Sequence, residues 1–147
     1  MNRPATNFNV SINDLNRENQ TLFAAIDPLI DDADGAGLLR YQWQRSDGSD
    51  RWSDIAGANA TFYTLDDEDV GREVRLKVYF VDDGGTTETA YSTPTATVEN
   101  VNDTPSGSRS ITGVLLEDKT VTADISALGD GDGLPSDLAD YTYQWQR

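Results

Sequence analysis

The pentapeptide Tyr-Gln-Trp-Gln-Arg stands at Tyr41 to Arg45 and again at Tyr143 to Arg147. A repeated string of that length with Trp at its centre does not readily arise by chance, and its flanks repeat as well. TLFAAIDPL at Thr21 to Leu29 matches TVTADISAL at Thr120 to Leu128, and DADG at Asp32 matches DGDG at Asp130. The offset stays near one hundred residues, with small insertions, so the repeat has the size of a domain and not of a solenoid turn. The sequence therefore predicts a tandem repeat: one domain over residues 1–103, and the N-terminal part of a second, truncated copy over residues 104–147. The join reads VENVNDTPSG, Val98 to Gly107, rich in the Asn, Pro and Gly that interrupt regular structure.

Within the first copy, short β-prone runs alternate with turn sequences. Strands are predicted at Phe8 to Ile12, Thr21 to Ile26, Leu39 to Arg45, Arg51 to Ile55, Thr61 to Leu65, Glu73 to Val81, Thr86 to Tyr91 and Thr95 to Val98. Between them lie DDADGAG, SDGSD, AGANA, DDEDVG and VDDGG. No segment keeps a helical period, and EVRLKVYFV sets Val74, Leu76, Val78 and Phe80 on one face against Arg75, Lys77 and Tyr79 on the other. That alternation is a half-buried strand, and the whole pattern predicts an all-β, antiparallel β-sandwich. Trp43, Leu76 and Val78 are expected in its core, and Trp145 in the core of the second copy.

Composition removes several classes of function. With 26 acidic against 11 basic residues, a net charge of −15, the surface repels nucleic acid and anionic membranes and favours cations. There is no Cys and no His. Disulfides, thiolate chemistry, the usual general base near neutral pH and the usual ligand for zinc, copper or iron are therefore all missing. Nothing among the acids picks out the paired carboxylates that glycoside hydrolysis needs, so the chain is not expected to be an enzyme. No apolar run reaches the ~20 residues of a membrane span.

Trp43 in the third strand, and Asp69-Val70-Gly71 just before the sixth, resemble the buried Trp and the D-x-G turn of immunoglobulin-like domains, although the usual Cys pair is absent. TLxA, DADG, YQWQR, the W-x-x-I-x-G-A of Trp52 to Ala58, YTLxDxDVG and NVND-x-P resemble, as a set, the bacterial Ig-like and cadherin-like repeats of large surface adhesins and RTX-type exoproteins. This resemblance spans nearly the whole chain. It implies an extracellular protein, secreted or held at the cell surface, whose repeats serve as stalk units beside neighbouring repeats of the same chain.

In an Ig-like sandwich the loop carrying Asp31, Asp32 and Asp34 lies at the end where the chain enters. The turn carrying Asp67, Glu68 and Asp69, and the linker carrying Glu99, Asn100, Asn102 and Asp103, lie at the opposite end. In a head-to-tail array those acids would meet Asp130 and Asp132 of the next copy. Like charges so gathered repel, and Ca²⁺, which takes 6–8 oxygen ligands, would relieve them. The resemblance adds that NVND-x-P at Asn100 to Pro105 is similar to the calcium-binding linker of cadherins, with Asn100 where the cadherin linker has its first Asp, and that DADG at Asp32 to Gly35 is similar to their DAD loop. The alternative for all these acids is a set of solvated turns, in which Asp, Asn and Gly are favoured anyway. The alternative function is a module that itself grips a glycan or a host or matrix protein, for which an exposed aromatic such as Trp52 would serve.

Overall fold

The computed structural model describes residues 5, 8–27, 35 and 37–147, so Asp31, Asp32 and Asp34 lie outside the described residues. The chain divides into two units, Met1–Val101 and Asn102–Arg147.

The first unit is all-β. Its strands are β1 (Val10–Ile12), β2 (Thr21–Ile26), β3 (Arg40–Ser46), β4 (Trp52–Asp54), β5 (Phe62–Thr64), β6 (Val74–Val81) and β7 (Thr87–Tyr91). They form a three-stranded sheet in the order β1-β2-β5 and a four-stranded sheet in the order β4-β3-β6-β7, antiparallel throughout. The period-2 alternation of β6 decides which way it faces: Val74, Leu76, Val78 and Phe80 are fully buried. Val74, Leu76 and Val78 meet Leu22 from β2, Trp43 from β3, and Leu65 and Val98 from outside the strands, while the Phe80 ring packs on Phe8. Both sheets thus contribute to one core, an arrangement consistent with a β-sandwich.

Trp43 is fully buried at the centre of that core. An indole can be buried cheaply only if its N–H finds an acceptor, and Trp43 Nε1 donates to the carbonyl of Ala60 at 3.0 Å. Its ring lies against Tyr63, with centroids 5.8 Å apart.

The run Thr95 to Val98, predicted as a strand, is not one. β7 ends at Tyr91, before Pro94, which has no N–H to give to a ladder. Side-chain hydroxyls continue the pairing instead. Ser92 N–H donates to Leu76 O, and Ser92 Oγ accepts the Leu76 N–H, each at 2.9 Å. Thr95 repeats this device on Val74, its N–H donating to Val74 O at 2.9 Å and its Oγ1 accepting the Val74 N–H at 3.0 Å. Val98 then makes an isolated parallel bridge to Val70.

The second unit contains a two-stranded antiparallel sheet of β8 (Ser106–Gly113) and β9 (Val121–Gly129), with a register shift between Ser108 and Ser110, and a 3-10 turn at Leu138–Asp140. None of its residues is buried. Trp145, expected in a core, is 52% exposed, and residues 143–147 form no strand. In the first unit β3 pairs with β6, and Leu22, Tyr63 and Leu65 pack with Trp43, whereas no strand of the second unit pairs with residues 143–147.

Candidate functional site

Each residue of the first pentapeptide has a distinct task. Tyr41 packs against the core. Gln42 Nε2 donates to the carbonyls of Trp43 and Ile55, both at 2.9 Å, and so fastens the chain after β4. Gln44 Nε2 donates to Asp54 Oδ1 at 2.7 Å while its Oε1 accepts from Arg75 Nε at 2.9 Å.

Arg45 carries the largest electrostatic load. It is 14% exposed and meets the acidic 3-10 turn Asp67–Asp69 that precedes β6. Its Nε donates to Asp69 Oδ1 at 2.6 Å, its Nη1 to Glu68 Oε2 at 2.7 Å, and its Nη2 to Asp66 Oδ1 at 3.2 Å. Asp69 is completely buried, and its other oxygen, Oδ2, accepts from Tyr63 OH at 2.8 Å and from the Asp66 N–H at 2.9 Å. Asp66 closes the turn as a capping box, its own side chain accepting from Glu68 N–H. Gly71, at φ +76°, then turns the chain into β6, a backbone conformation that favours glycine.

The electrostatics are set by this geometry. Burial alone would lower the Arg45 pKa, but hydrogen bonds to Asp69 and Glu68 outweigh it and hold the guanidinium above its ordinary value. The Tyr63 hydroxyl is raised, by burial first and by its bond to Asp69 second. Asp66 is raised by burial and next by the neighbouring Asp69 charge.

Two of the three acids in the turn that the sequence offers to a metal thus have a cation partner within the chain. Asp69 has both oxygens engaged and no exposed surface, and Glu68 is ion-paired to Arg45. A guanidinium already occupies the place of the cation that they are expected to attract. Asp67 is exposed and is not part of that network; its carboxylate lies within 4.8 Å of that of Glu18, which is buried.

Glu18 and its neighbours fix the segment by which the chain leaves the first unit. Glu18 N–H donates to Glu99 O at 3.0 Å, Glu99 N–H to Asn16 O at 2.7 Å, and Asn16 Nδ2 to Thr97 O at 3.1 Å. On the other side, Gly71 N–H donates to Val98 O at 2.9 Å and Val98 N–H to Arg72 O at 2.8 Å. Glu18 Oε2 accepts the Val101 N–H at 3.1 Å, and Arg17 pairs with Glu99 at 3.5 Å. Glu99 therefore has a partner, while Asn100 is exposed.

In the second unit, Asp103 N–H donates to Asp132 Oδ2 at 2.6 Å, Asn102 Nδ2 donates to Asp103 O at 2.6 Å, and Asp132 N–H donates to Asp130 Oδ1 at 3.0 Å. Asp130 and Asp132 thus share one turn after β9, and Asp103, before β8, is bonded to it through its N–H.

The outer face of the four-stranded sheet carries a feature of another kind. The Arg75 guanidinium lies between Trp52 and Tyr91, 4.2 and 4.3 Å from the two ring centroids. Such stacking stabilises each cation–ring pair by about 0.5–1 kcal/mol at exposed sites. Burial lowers the pKa of Arg75.

Sequence reasoning misses Glu18, Arg45 and Arg75 as determinants. Arg45 has a signal, since it is a member of the repeated pentapeptide; Glu18 and Arg75 have none beyond their charge. No protein-family model matches this chain, and no curated protein sequence matches it either.

Proposed function

We propose that the chain is a structural stalk or spacer repeat of a bacterial cell-surface or secreted adhesin-like protein, built from Ig-like sandwiches in tandem. The observation that carries this reading is the clamped exit. Residues 97–101 are held on one side by Asn16, Arg17 and Glu18 and on the other by Gly71 and Arg72. A domain whose departing chain is fixed in direction by backbone hydrogen bonds passes its orientation to the next domain, as a spacer requires. The strand orders β1-β2-β5 and β4-β3-β6-β7, antiparallel and sharing one core, are consistent with a β-sandwich and support the same reading.

The proposal includes Ca²⁺ as the stiffening ion at the exit. Oxygen donors suit a hard cation, and the carboxylates of Asp67 and Glu18, both in the first unit, lie within 4.8 Å of each other. Asp130 and Asp132 stand as the corresponding donors of a following repeat. Arg45 engages Glu68 and Asp69, as Arg17 engages Glu99. Solution scattering of the chain in millimolar Ca²⁺ and in chelator tests the proposal: a narrower, longer distance distribution with Ca²⁺ supports it, and superimposable curves contradict it.

The second reading, a module that grips a glycan or a host or matrix protein, rests on the Trp52–Arg75–Tyr91 stack. Trp52→Ala and Tyr91→Ala variants that keep the fold but lose retention on immobilised glycans would favour it.

A further inference from the structure

We infer that a cavity beside Trp52, in the first unit, is a site for one neutral hexopyranose ring. The inference rests on the second reading above, that of a module gripping a glycan, and names the class of sugar and the residues that hold it. It is independent of calcium and of the second unit.

The cavity, about 300 Å³, is lined by Trp52 of β4, Ser46 at the end of β3, Arg72 and Glu73 just before β6, Asp50 and Thr97. That volume stands at the lower end for small-molecule sites and suits a single ring. Its frame is fixed by the backbone. Ser46, 3% exposed, donates its N–H to Glu73 O at 2.9 Å and accepts the Glu73 N–H on Oγ at 3.0 Å. Arg72 N–H donates to Asp69 O at 2.9 Å, and the Arg72 carbonyl accepts the Val98 N–H at 2.8 Å. Asp47 closes the loop that carries Asp50, its Oδ1 accepting the Ser49 N–H at 2.8 Å and its own N–H donating to Arg51 O at 3.0 Å. The Trp52 ring is held by the Arg75 guanidinium, 4.2 Å from its centroid.

The charged side chains on this frame are not engaged with one another. Among the described residues, neither the Asp50 nor the Glu73 carboxylate forms an ion pair, and Arg72 makes only a 3.5 Å contact from Nη1 to Ser46 O. Two carboxylates and a guanidinium, planar groups that each bond two adjacent oxygens at once, therefore stand around an aromatic ring. A pyranose answers both features. Its C–H face packs on the indole, and its neighbouring hydroxyls donate to the carboxylates and accept from the guanidinium. Trp52 is the one apolar side chain in the lining, so an aliphatic side chain or a lipid chain would bury little surface there. Two acids against one base repel a uronate or a sulfated sugar. The chemistry selects an uncharged ring.

The probes are the methyl glycosides of glucose, mannose and galactose, with that of glucuronic acid for comparison. Each is titrated into the intact chain in chelator, so that no calcium ion bridges sugar and protein. The Trp52 indole N–H resonance, assigned with Trp52→Phe, should shift saturably with a neutral hexoside at millimolar concentration and stay fixed with the glucuronide. Asp50→Asn and Glu73→Gln should each weaken that binding by about tenfold, as loss of a charge-assisted hydrogen bond does. Both positions are exposed, and Asn tolerates the φ of +55° at Asp50, so the unfolding midpoints should match the parent's. A resonance that no hexoside shifts, a glucuronide that binds as well as the neutral sugars, or unchanged binding in the Asp50→Asn, Glu73→Gln double variant would each overturn the inference. If the chain is nonetheless retained on immobilised glycans, the second reading stands and only this site is dismissed; a chain that binds no hexoside and is retained on no glycan dismisses both.

Discussion

Arg45 Nε donates to Asp69 Oδ1 at 2.6 Å, joining a guanidinium in β3 to a carboxylate with no exposed surface in the turn before β6. This contact ties the pentapeptide that defines the repeat to the acidic turn that precedes its covering strand. It also gives Asp69 and, through Nη1, Glu68 a cation partner within the chain.

Breaking that pair from either side leaves the partner charge without compensation. Arg45→Met should destabilise the first unit by about 3 kcal/mol, because Asp69 remains buried and loses its cation partner. Glu68→Ala, which removes a carboxylate 79% exposed, should cost less than about 1 kcal/mol. Urea unfolding monitored by Trp fluorescence separates the two.

Tyr63 gives the same network a dependence on alkaline pH. Its pKa is raised in the folded state, by burial and by Asp69, above the ordinary tyrosine value of 10.0. The native state therefore holds a proton that the unfolded state has released. The contribution of Tyr63 to stability is fully present below pH 10 and is lost as pH rises from there toward the folded pKa. The urea midpoint of the parent should fall more steeply than that of Tyr63→Phe above pH 10, and the two slopes should agree near neutrality.

The hydroxyls of Ser92 and Thr95 stand in for a strand that Pro94 interrupts. Ser92→Ala removes the acceptor for the buried Leu76 N–H, and Thr95→Val the acceptor for the Val74 N–H. Each should cost about 1–3 kcal/mol, the penalty for leaving a buried donor unsatisfied. Hydrogen exchange should locate the loss at Leu76 and Val74.

How much of the fold is readable in the sequence depends on the range of each interaction. The alternation along β6 is a local signal, so the burial of Val74, Leu76, Val78 and Phe80 comes from period 2 alone. The antiparallel all-β class comes from the same signal repeated along the chain. Thr95 to Val98 reads as a strand because its residues are β-prone, yet the missing N–H of Pro94 outweighs that propensity. The contact of Asp69 with Arg45 spans 24 positions, and single-sequence patterns carry no record of which distant cation meets which acid. Trp145 reads as buried because Trp in this pentapeptide has a place in a core. In the first unit that place is made by β6 beside it and by Leu22 and Tyr63 of the other sheet.

The central claim is that the exit of the first unit holds Ca²⁺ and is stiffened by it, and the thermal midpoint of the intact chain tests it most directly. An ion that binds only the folded state at about ten times its Kd adds about 1.4 kcal/mol of stability. Extracellular modules bind Ca²⁺ with Kd values of roughly 10⁻⁴–10⁻³ M. The midpoint should therefore rise on going from chelator to a few millimolar Ca²⁺, rise much less with Mg²⁺, and stop responding in the Glu18→Gln, Asp67→Asn double variant. A midpoint indifferent to Ca²⁺, or an equal rise in the double variant, would contradict the claim.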